Sequence, residues 1–263
     1  MIKFIINFVK NYFHYGVSRS SANLAYYLMF SFFPLIIFLN SVLGLINIST
    51  IDLYRYIDIF PKELQIIVSD YLEYLSGSDN IVPLFLGLFL MIWSFTRYVN
   101  SLFHIINNIY GFQKPKLSMI KSFFFTISMM LSVYLTLILS VVGGAILKLI
   151  YRFITFPPIV EKLFSMFRYL IPISYFFLIL ILLYRFVPVK KQTFKSVFAG
   201  AFCAVIALFI LSGAFSIYIA HFSNYGVVYG SLSAVMFLMM WLYFSSMVII
   251  QGSILNKMLS EKS

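Results

Sequence analysis

Polar side chains at helical spacing mark residues 97–111, RYVNSLFHIINNIYG, as the stretch of this chain best suited to binding chemistry. A guanidinium, an imidazole and two amides recur every three or four residues, at Arg97, Asn100, His104 and Asn107. Residues at that spacing share one face of an α-helix. Because a cation in an apolar region needs an oxygen-rich partner, this face could bind an anionic head group or solute. It could equally reach towards water and hydrogen-bond to neighbouring helices.

A second polar face lies in the first apolar run of the sequence. Its members are spaced four, four and three residues apart, at Asn23, Tyr27, Ser31 and Pro34. A proline inside a helix frees a backbone carbonyl about one turn earlier and can kink the helix. The face therefore predicts a hinge or the polar wall of a cavity, with packing between helices as the favoured alternative.

The uncharged turn AHFSNYGVVYGSLS, residues 220–233, is the third candidate. Gly226 and Gly230 have the GxxxG spacing of close helix packing, while Tyr225 and Tyr229 supply rings suited to a membrane interface. A segment that re-enters the membrane and lines a path is the alternative. Irregular backbone survives at membrane depth only within protein or beside water.

The sequence has few features of an enzyme or of a nucleic-acid-binding protein. The three histidines are far apart, Cys203 is the single cysteine, and no metal-ligand or nucleophile motif is present. Six of the eight acidic residues fall within residues 52–79, away from the apolar runs. The net charge of +11 is spread through the connecting segments instead of forming a stripe. We therefore expect no catalysis, no cofactor, no bound metal and no nucleic-acid partner.

Composition places these residues in lipid. Hydrophobic residues make up 62% of the 263 and charged residues only 10%, which excludes a water-soluble domain. Six runs are long and apolar enough for a helix to cross a bilayer, at residues 24–46, 81–103, 122–147, 169–187, 197–220 and 229–252. The sequence thus predicts an all-α, polytopic integral membrane protein, with six transmembrane helices in one bundle that forms a single domain over residues 1–263.

Two amphipathic helices are predicted to lie on the membrane surface. One is at the N-terminus, where an apolar face is formed by Ile2, Ile5, Ile6, Val9 and Phe13. The other lies in the first outside loop, in the stretch KELQIIVSDYLEYL that follows Pro61.

Lysine and arginine residues set the expected orientation, because cytoplasmic loops carry an excess of them. Thirteen of the 19 fall on the side that holds both termini and the even-numbered connections, and six fall on the other. We therefore expect both termini to be cytoplasmic.

Four segments together resemble the YihY/BrkB family of bacterial inner-membrane proteins, some members of which have been labelled ribonuclease BN. The segments are LAYYLMFSFFPL at 24–35, MIWSFTRYVNSLFHIINNIYG at 91–111, YRFVPVKKQTFKSVFAGA at 184–201, and YGVVYGSLSAVMFLMMWLY through LN at 225–256. The resemblance implies a six-helix plasma-membrane protein with cytoplasmic termini. Members of the family have been connected with the transport of lipids or solutes and with resistance to host serum.

This sequence departs from the family's pattern in one place. Where members often end the sixth span with Gly-Ala-Glu-Leu-Asn, this chain has Gly252, Ser253, Ile254, Leu255 and Asn256. Ile254 occupies the acidic position, so the resemblance does not carry over a mechanism that needs that carboxylate. The HxHxDH cluster of a metal-dependent nuclease is also missing.

These observations predict a transporter or flippase-like protein of the bacterial plasma membrane that handles a lipid or anionic amphiphile. The expected contacts to the polar group are Arg97, Asn100, His104 and Asn107. The alternative is a non-transporting scaffold that recruits envelope proteins through its acidic outer loop, and a membrane-associated ribonuclease is a distant third. Membrane lipids are the expected partners. Homo-oligomers remain possible, since GxxxG spacings serve packing within one chain equally well.

Overall fold

The computed structural model describes residues 2–45, 82–112, 120–132, 158–190, 192–222 and 231–261. Seven helices account for nearly all of them: α1 Ile2–His14, α2 Val17–Leu45, α3 Val82–Ile109, α4 Ile120–Ser132, α5 Pro158–Phe186, α6 Phe194–Phe222 and α7 Ser231–Ser260. The predicted all-α fold is confirmed for these residues. The amphipathic helix predicted after Pro61 lies outside the described residues. The four candidate residues of the uncharged turn also lie outside them: Tyr225, Gly226, Tyr229 and Gly230.

Several helices run beyond the apolar stretches that predicted them. The helix α7 continues to Ser260, past Asn256 and Lys257, because backbone hydrogen bonding does not stop where the side chains become polar. The helix α3 likewise joins the second apolar run and the polar stretch that follows it into one element. Gly111 ends α3 with a φ of 92°, a conformation that glycine adopts without strain.

Two helices among the described residues are long and apolar enough to cross a membrane. They are α6, over Phe194–Ile219, and α7, over Val235–Ser260. Apolar helical stretches at Ile120–Ser132 and Leu170–Phe186 are shorter. The prediction of six spans therefore stays a prediction.

The helices pack side by side, with α2 lying along both α3 and α7, α7 along α6, and α6 against α5. The buried core lies where α2 and α6 begin and where α3, α5 and α7 end. We call this the Asn107 end of the bundle. The other end is formed by the start of α3 and the end of α2, since Gly87 packs closely against Phe38.

Glycines allow α6 and α7 to cross at very short range. A Cβ on Gly200 would overlap the carbonyl oxygen of Gly252, and a Cβ on Gly252 would lie 2.8 Å from the carbonyl oxygen of Gly200. The Oδ1 of Asn256 accepts a hydrogen bond of 2.7 Å from the Gly200 backbone N–H. On the α5 side, the Tyr184 hydroxyl donates to the Ile249 carbonyl at 2.6 Å. Small residues and hydrogen bonds of this kind hold helices together where apolar burial offers no gain over lipid.

The predicted N-terminal helix is present as α1, and it has two apolar faces. Phe4, Phe8 and Tyr12 are partly buried against the core. Ile6 and Phe13, from the face that the sequence singled out, are exposed.

Candidate functional site

The helix α3 carries a row of exposed aromatic side chains that ends in a cation. Phe85, Phe89 and Trp93 follow one another at four-residue spacing, and their side chains are 61%, 68% and 46% exposed. Residues four apart lie above one another on a helix, so the three rings form a continuous stripe. Arg97 is the next residue in the same row.

The Arg97 guanidinium lies against the last ring of this stripe. Its carbon atom is 5.5 Å from the centroid of the Trp93 ring, within the range of a cation–π contact. The side chain is exposed, and no carboxylate among the described residues forms an ion pair with it. Nearly two turns further along, His104 is also exposed. The face therefore changes from aromatic to cationic and polar along its length.

Asn100 faces the neighbouring helix. Its Oδ1 accepts a hydrogen bond of 2.6 Å from the Ser122 hydroxyl of α4. Beside it, the rings of Phe103 and Phe125 meet edge to face with centroids 5.4 Å apart. Asn100 therefore joins α3 to α4.

Asn107 is buried, with 1% of its surface exposed, and its amide holds the connection between α5 and α6. The Nδ2 donates to the Phe103 carbonyl at 2.9 Å and to the Val187 carbonyl at 3.2 Å. The Oδ1 accepts from the Val189 N–H at 3.0 Å. One side chain thus satisfies three backbone groups, two of which lie outside any helix.

Helical geometry explains why the four predicted residues have different surroundings. At 3.6 residues per turn, they span an arc of about 80° around α3. Arg97 and His104 lie within about 20° of each other at the exposed edge of this arc, while Asn100 and Asn107 lie equally close together at the packed edge. The structure therefore places two of them towards the outside and two inside the bundle.

The second predicted face forms contacts between and within helices. The Asn23 amide donates to the Ser101 hydroxyl of α3 at 3.1 Å, and the Ser31 hydroxyl donates to the Leu28 carbonyl at 2.6 Å. Tyr27 is partly buried against the core. Pro34 is buried within α2, which remains helical on both sides of it.

Arg185 is one of the thirteen lysine and arginine residues on the side that holds both termini, and its guanidinium lies over two aromatic rings. Its guanidinium carbon lies 3.3 Å from the Phe194 ring centroid and 5.1 Å from that of Phe186. The Lys121 amine donates to the Phe186 carbonyl at 3.2 Å. The sequence carries a signal for these ring contacts, because this arginine ends an apolar run and is followed within nine residues by two phenylalanines.

The Tyr110 hydroxyl oxygen is buried and lies just beyond the end of α3. Burial raises the pKa of this phenol above its ordinary value. Among the described residues, no group of three His, Cys, Asp or Glu side chains could hold a metal ion. Ile254, at the position where the family often has an acid, is buried in the core.

Apolar helices of membrane-spanning length, together with long exposed aromatic stripes, are the features of an integral membrane protein built from α-helices. The chain belongs to the family described as Virulence factor BrkB, whose sequence profile matches residues 8–263. The resemblance seen in the sequence is thereby confirmed.

Related proteins carry two kinds of name. The chain is 28% identical over 253 residues to the ribonuclease-like protein YfkH of Bacillus subtilis, a match that covers 95% of this chain and 92% of YfkH. It is 24% identical over 261 residues to a UPF0761 membrane protein of Pelodictyon phaeoclathratiforme and 27% identical over 255 residues to another, of Chlorobium phaeobacteroides. These matches cover 95% and 93% of this chain but only 58% and 57% of the two relatives. No solved structure matches the chain.

Proposed function

We propose that this protein is a transporter or flippase-like protein of the bacterial plasma membrane that handles a lipid or anionic amphiphile. The observation that carries the proposal is the α3 stripe, in which exposed Phe85, Phe89 and Trp93 lead to exposed Arg97 and His104. Apolar rings followed by a cation match the two halves of an amphiphile, with its chain along the rings and its anionic group at the guanidinium.

The length of the stripe supports this arrangement. Phe85 and Arg97 are twelve residues apart, which corresponds to about 18 Å along the helix axis. One leaflet of a bilayer has a hydrocarbon depth of roughly 15 Å, half of the total thickness. An amphiphile lying along α3 would therefore have its head group near Arg97 when its chain reaches the membrane centre.

The contacts of the Arg97 guanidinium also favour an anionic ligand. Its cation–π contact with Trp93 contributes about 0.5–1 kcal/mol at an exposed site, and this contact does not use the N–H groups of the guanidinium. A phosphate or carboxylate fits the planar fork of an arginine in a bidentate manner. Charge-assisted hydrogen bonds of this kind contribute about 1.5–3 kcal/mol.

Flux measurements with an Arg97→Gln variant test this site. The protein is reconstituted in vesicles and the movement of a labelled anionic phospholipid is followed. Losing a charge-assisted contact of about 1.5–3 kcal/mol should slow flux by roughly ten- to a hundredfold. Arg19→Gln is the control, because Arg19 is an exposed cation on α2. Equal rates for Arg97→Gln and the wild type would remove Arg97 from the mechanism.

We further propose six spans with both termini in the cytoplasm. Exposed cations at the Asn107 end support this orientation, at Lys3, Lys10, Arg19, Lys121, Lys190 and Lys195. Tags at the two termini should react with membrane-impermeant reagents only after the cells are opened. Reaction of either tag in intact cells would reverse the orientation.

We also propose that the protein is not an enzyme, despite the ribonuclease-like name of YfkH. The proposal rests on the sequence, which lacks a metal-ligand motif and keeps most of its acids in residues 52–79. Purified protein incubated with RNA and Mg²⁺ or Mn²⁺ should leave the RNA intact. Cleavage above that of a mock purification would contradict the proposal.

A further inference from the structure

A second cation at the Asn107 end has unusual surroundings. Arg185 is in the last turn of α5. The Phe194 and Phe186 rings lie 3.3 and 5.1 Å from its guanidinium carbon. Ring faces attract the positive charge but accept little from N–H groups that lie in the plane of the guanidinium.

The polar edge of this guanidinium lacks acceptors. Its Nε and Nη1 atoms are buried and have no hydrogen-bond partner among the described residues. Buried N–H donors without an acceptor are unfavourable, because they have given up their hydrogen bonds to water. A bound anion would satisfy both the charge and the donors.

Carboxylates within the described residues do not supply that anion. Glu261 forms an ion pair with Lys257 at 3.6 Å, on α7. Of the other seven acids, six fall within residues 52–79, outside the described residues, and Glu161 is 24 residues before Arg185 on α5, about 36 Å along the helix axis. No carboxylate among the described residues is thus paired with Arg185, and an anion from outside the chain can bind there.

A second cation adjoins this position. The Lys121 amine donates to the Phe186 carbonyl, so that it is held beside the residue that follows Arg185. The remaining donors of this amine are available, because Lys121 is exposed. A guanidinium and an amine on two adjoining helices supply the N–H donors that a phosphate group accepts from.

Apolar side chains continue from the same place along α6. Phe194, Phe198 and Phe202 are exposed at four-residue spacing, and the last two rings are stacked with centroids 6.2 Å apart. Phe177 of α5 contacts the Phe198 ring at 5.4 Å. An anion at Arg185 therefore lies at the end of an exposed aromatic surface, as the head group of a lipid would.

We propose that Arg185 and Lys121 bind a phosphate group at the end of the aromatic surface formed by Phe194, Phe198 and Phe202. This site is separate from the α3 stripe and does not depend on transport. The phosphate can belong to a phospholipid head group or be free inorganic phosphate, and the same guanidinium contact serves both.

Native mass spectrometry of the detergent-purified full chain tests the proposal. Phosphatidylglycerol and inorganic phosphate are added in separate samples. Wild-type protein should retain one of them, and Arg185→Gln should lower its retention at least tenfold. Lys190→Gln, which removes an exposed lysine from the neighbouring connection, should change retention less than twofold. Retention of the lipid alone assigns the site to a head group, and retention of phosphate alone assigns it to free phosphate.

A second variant serves as the control for misfolding of Arg185→Gln. Lys121→Gln leaves the Arg185 stacking intact and should still lower retention at least threefold. Melting temperatures of all variants show which of them are folded. Unchanged retention in folded Arg185→Gln overturns the proposal. If Arg185→Gln does not fold, unchanged retention in Lys121→Gln overturns the proposal. Failure of the wild type to retain either probe also overturns the proposal.

Discussion

Replacing Gly200 with alanine should loosen the contact between α6 and α7. The new Cβ would overlap the Gly252 carbonyl oxygen and press on the Asn256 side chain. The Gly252 oxygen belongs to a helix backbone, so it cannot rotate away as the end of a flexible side chain could. The two helices must separate, and the 2.7 Å hydrogen bond from the Gly200 N–H to Asn256 is lost with them.

Three contributions set the size of the effect. Overpacking costs about 1–3 kcal/mol, and loss of the hydrogen bond costs about 1 kcal/mol. Alanine returns about 1 kcal/mol through its better helix propensity. Because the clash is with backbone, we expect a net loss near the upper limit, about 3 kcal/mol, which lowers the melting temperature by about 6–12 °C at this chain length.

Thermal unfolding in detergent measures this loss, and the same helix supplies the control. Gly213 of α6 has open space where its Cβ would be, so Gly213→Ala should melt at the wild-type temperature or slightly above it. A Gly200→Ala protein that melts within 2 °C of the wild type, by the roughly 2–4 °C per kcal/mol scale, would show that α6 and α7 do not approach as described.

Two further predictions concern the other buried hydrogen bonds. Asn107→Ala removes the partner of the Val187 carbonyl and the Val189 N–H, so it should lower stability by about 2–4 kcal/mol and speed tryptic cleavage at Lys190, measured by thermal unfolding and limited proteolysis. Unchanged cleavage would mean that Asn107 does not hold the connection. Tyr184→Phe removes the 2.6 Å bond to the Ile249 carbonyl and should cost about 1 kcal/mol, since that carbonyl keeps its bond within α7. A loss above 3 kcal/mol would show a larger role for this hydroxyl.

The local sequence pattern was sufficient to predict the helix that carries the candidate site. The stretch from Arg97 to Tyr110 continues the preceding apolar run without glycine or proline, and Gly111 then ends the helix. The spacing of Arg97, His104 and Asn107 on one side of this helix also followed from the sequence. Helix periodicity is local, so it requires no knowledge of neighbouring elements.

Tertiary contacts could not be obtained in the same way. Residue spacing places Asn100, Asn107 and Arg97 on one arc of the α3 surface. It does not indicate which edge of that arc packs against another helix. The stacking of Arg185 on Phe194 spans a connection that is not helical, so no periodicity relates the two. Asn256 lies beyond the predicted end of the sixth span, yet it is buried and bonded to Gly200, a partner 56 residues away.

We propose that this protein moves a lipid or anionic amphiphile across the membrane, and the movement of a labelled lipid in vesicles tests that proposal. Wild-type protein is reconstituted at one to a few copies per vesicle, with a fluorescent anionic phospholipid in one leaflet and a quencher added outside. Vesicles with protein should exchange the lipid between leaflets at least tenfold faster than vesicles prepared without it. Equal rates in the two preparations would show that the protein does not move this lipid.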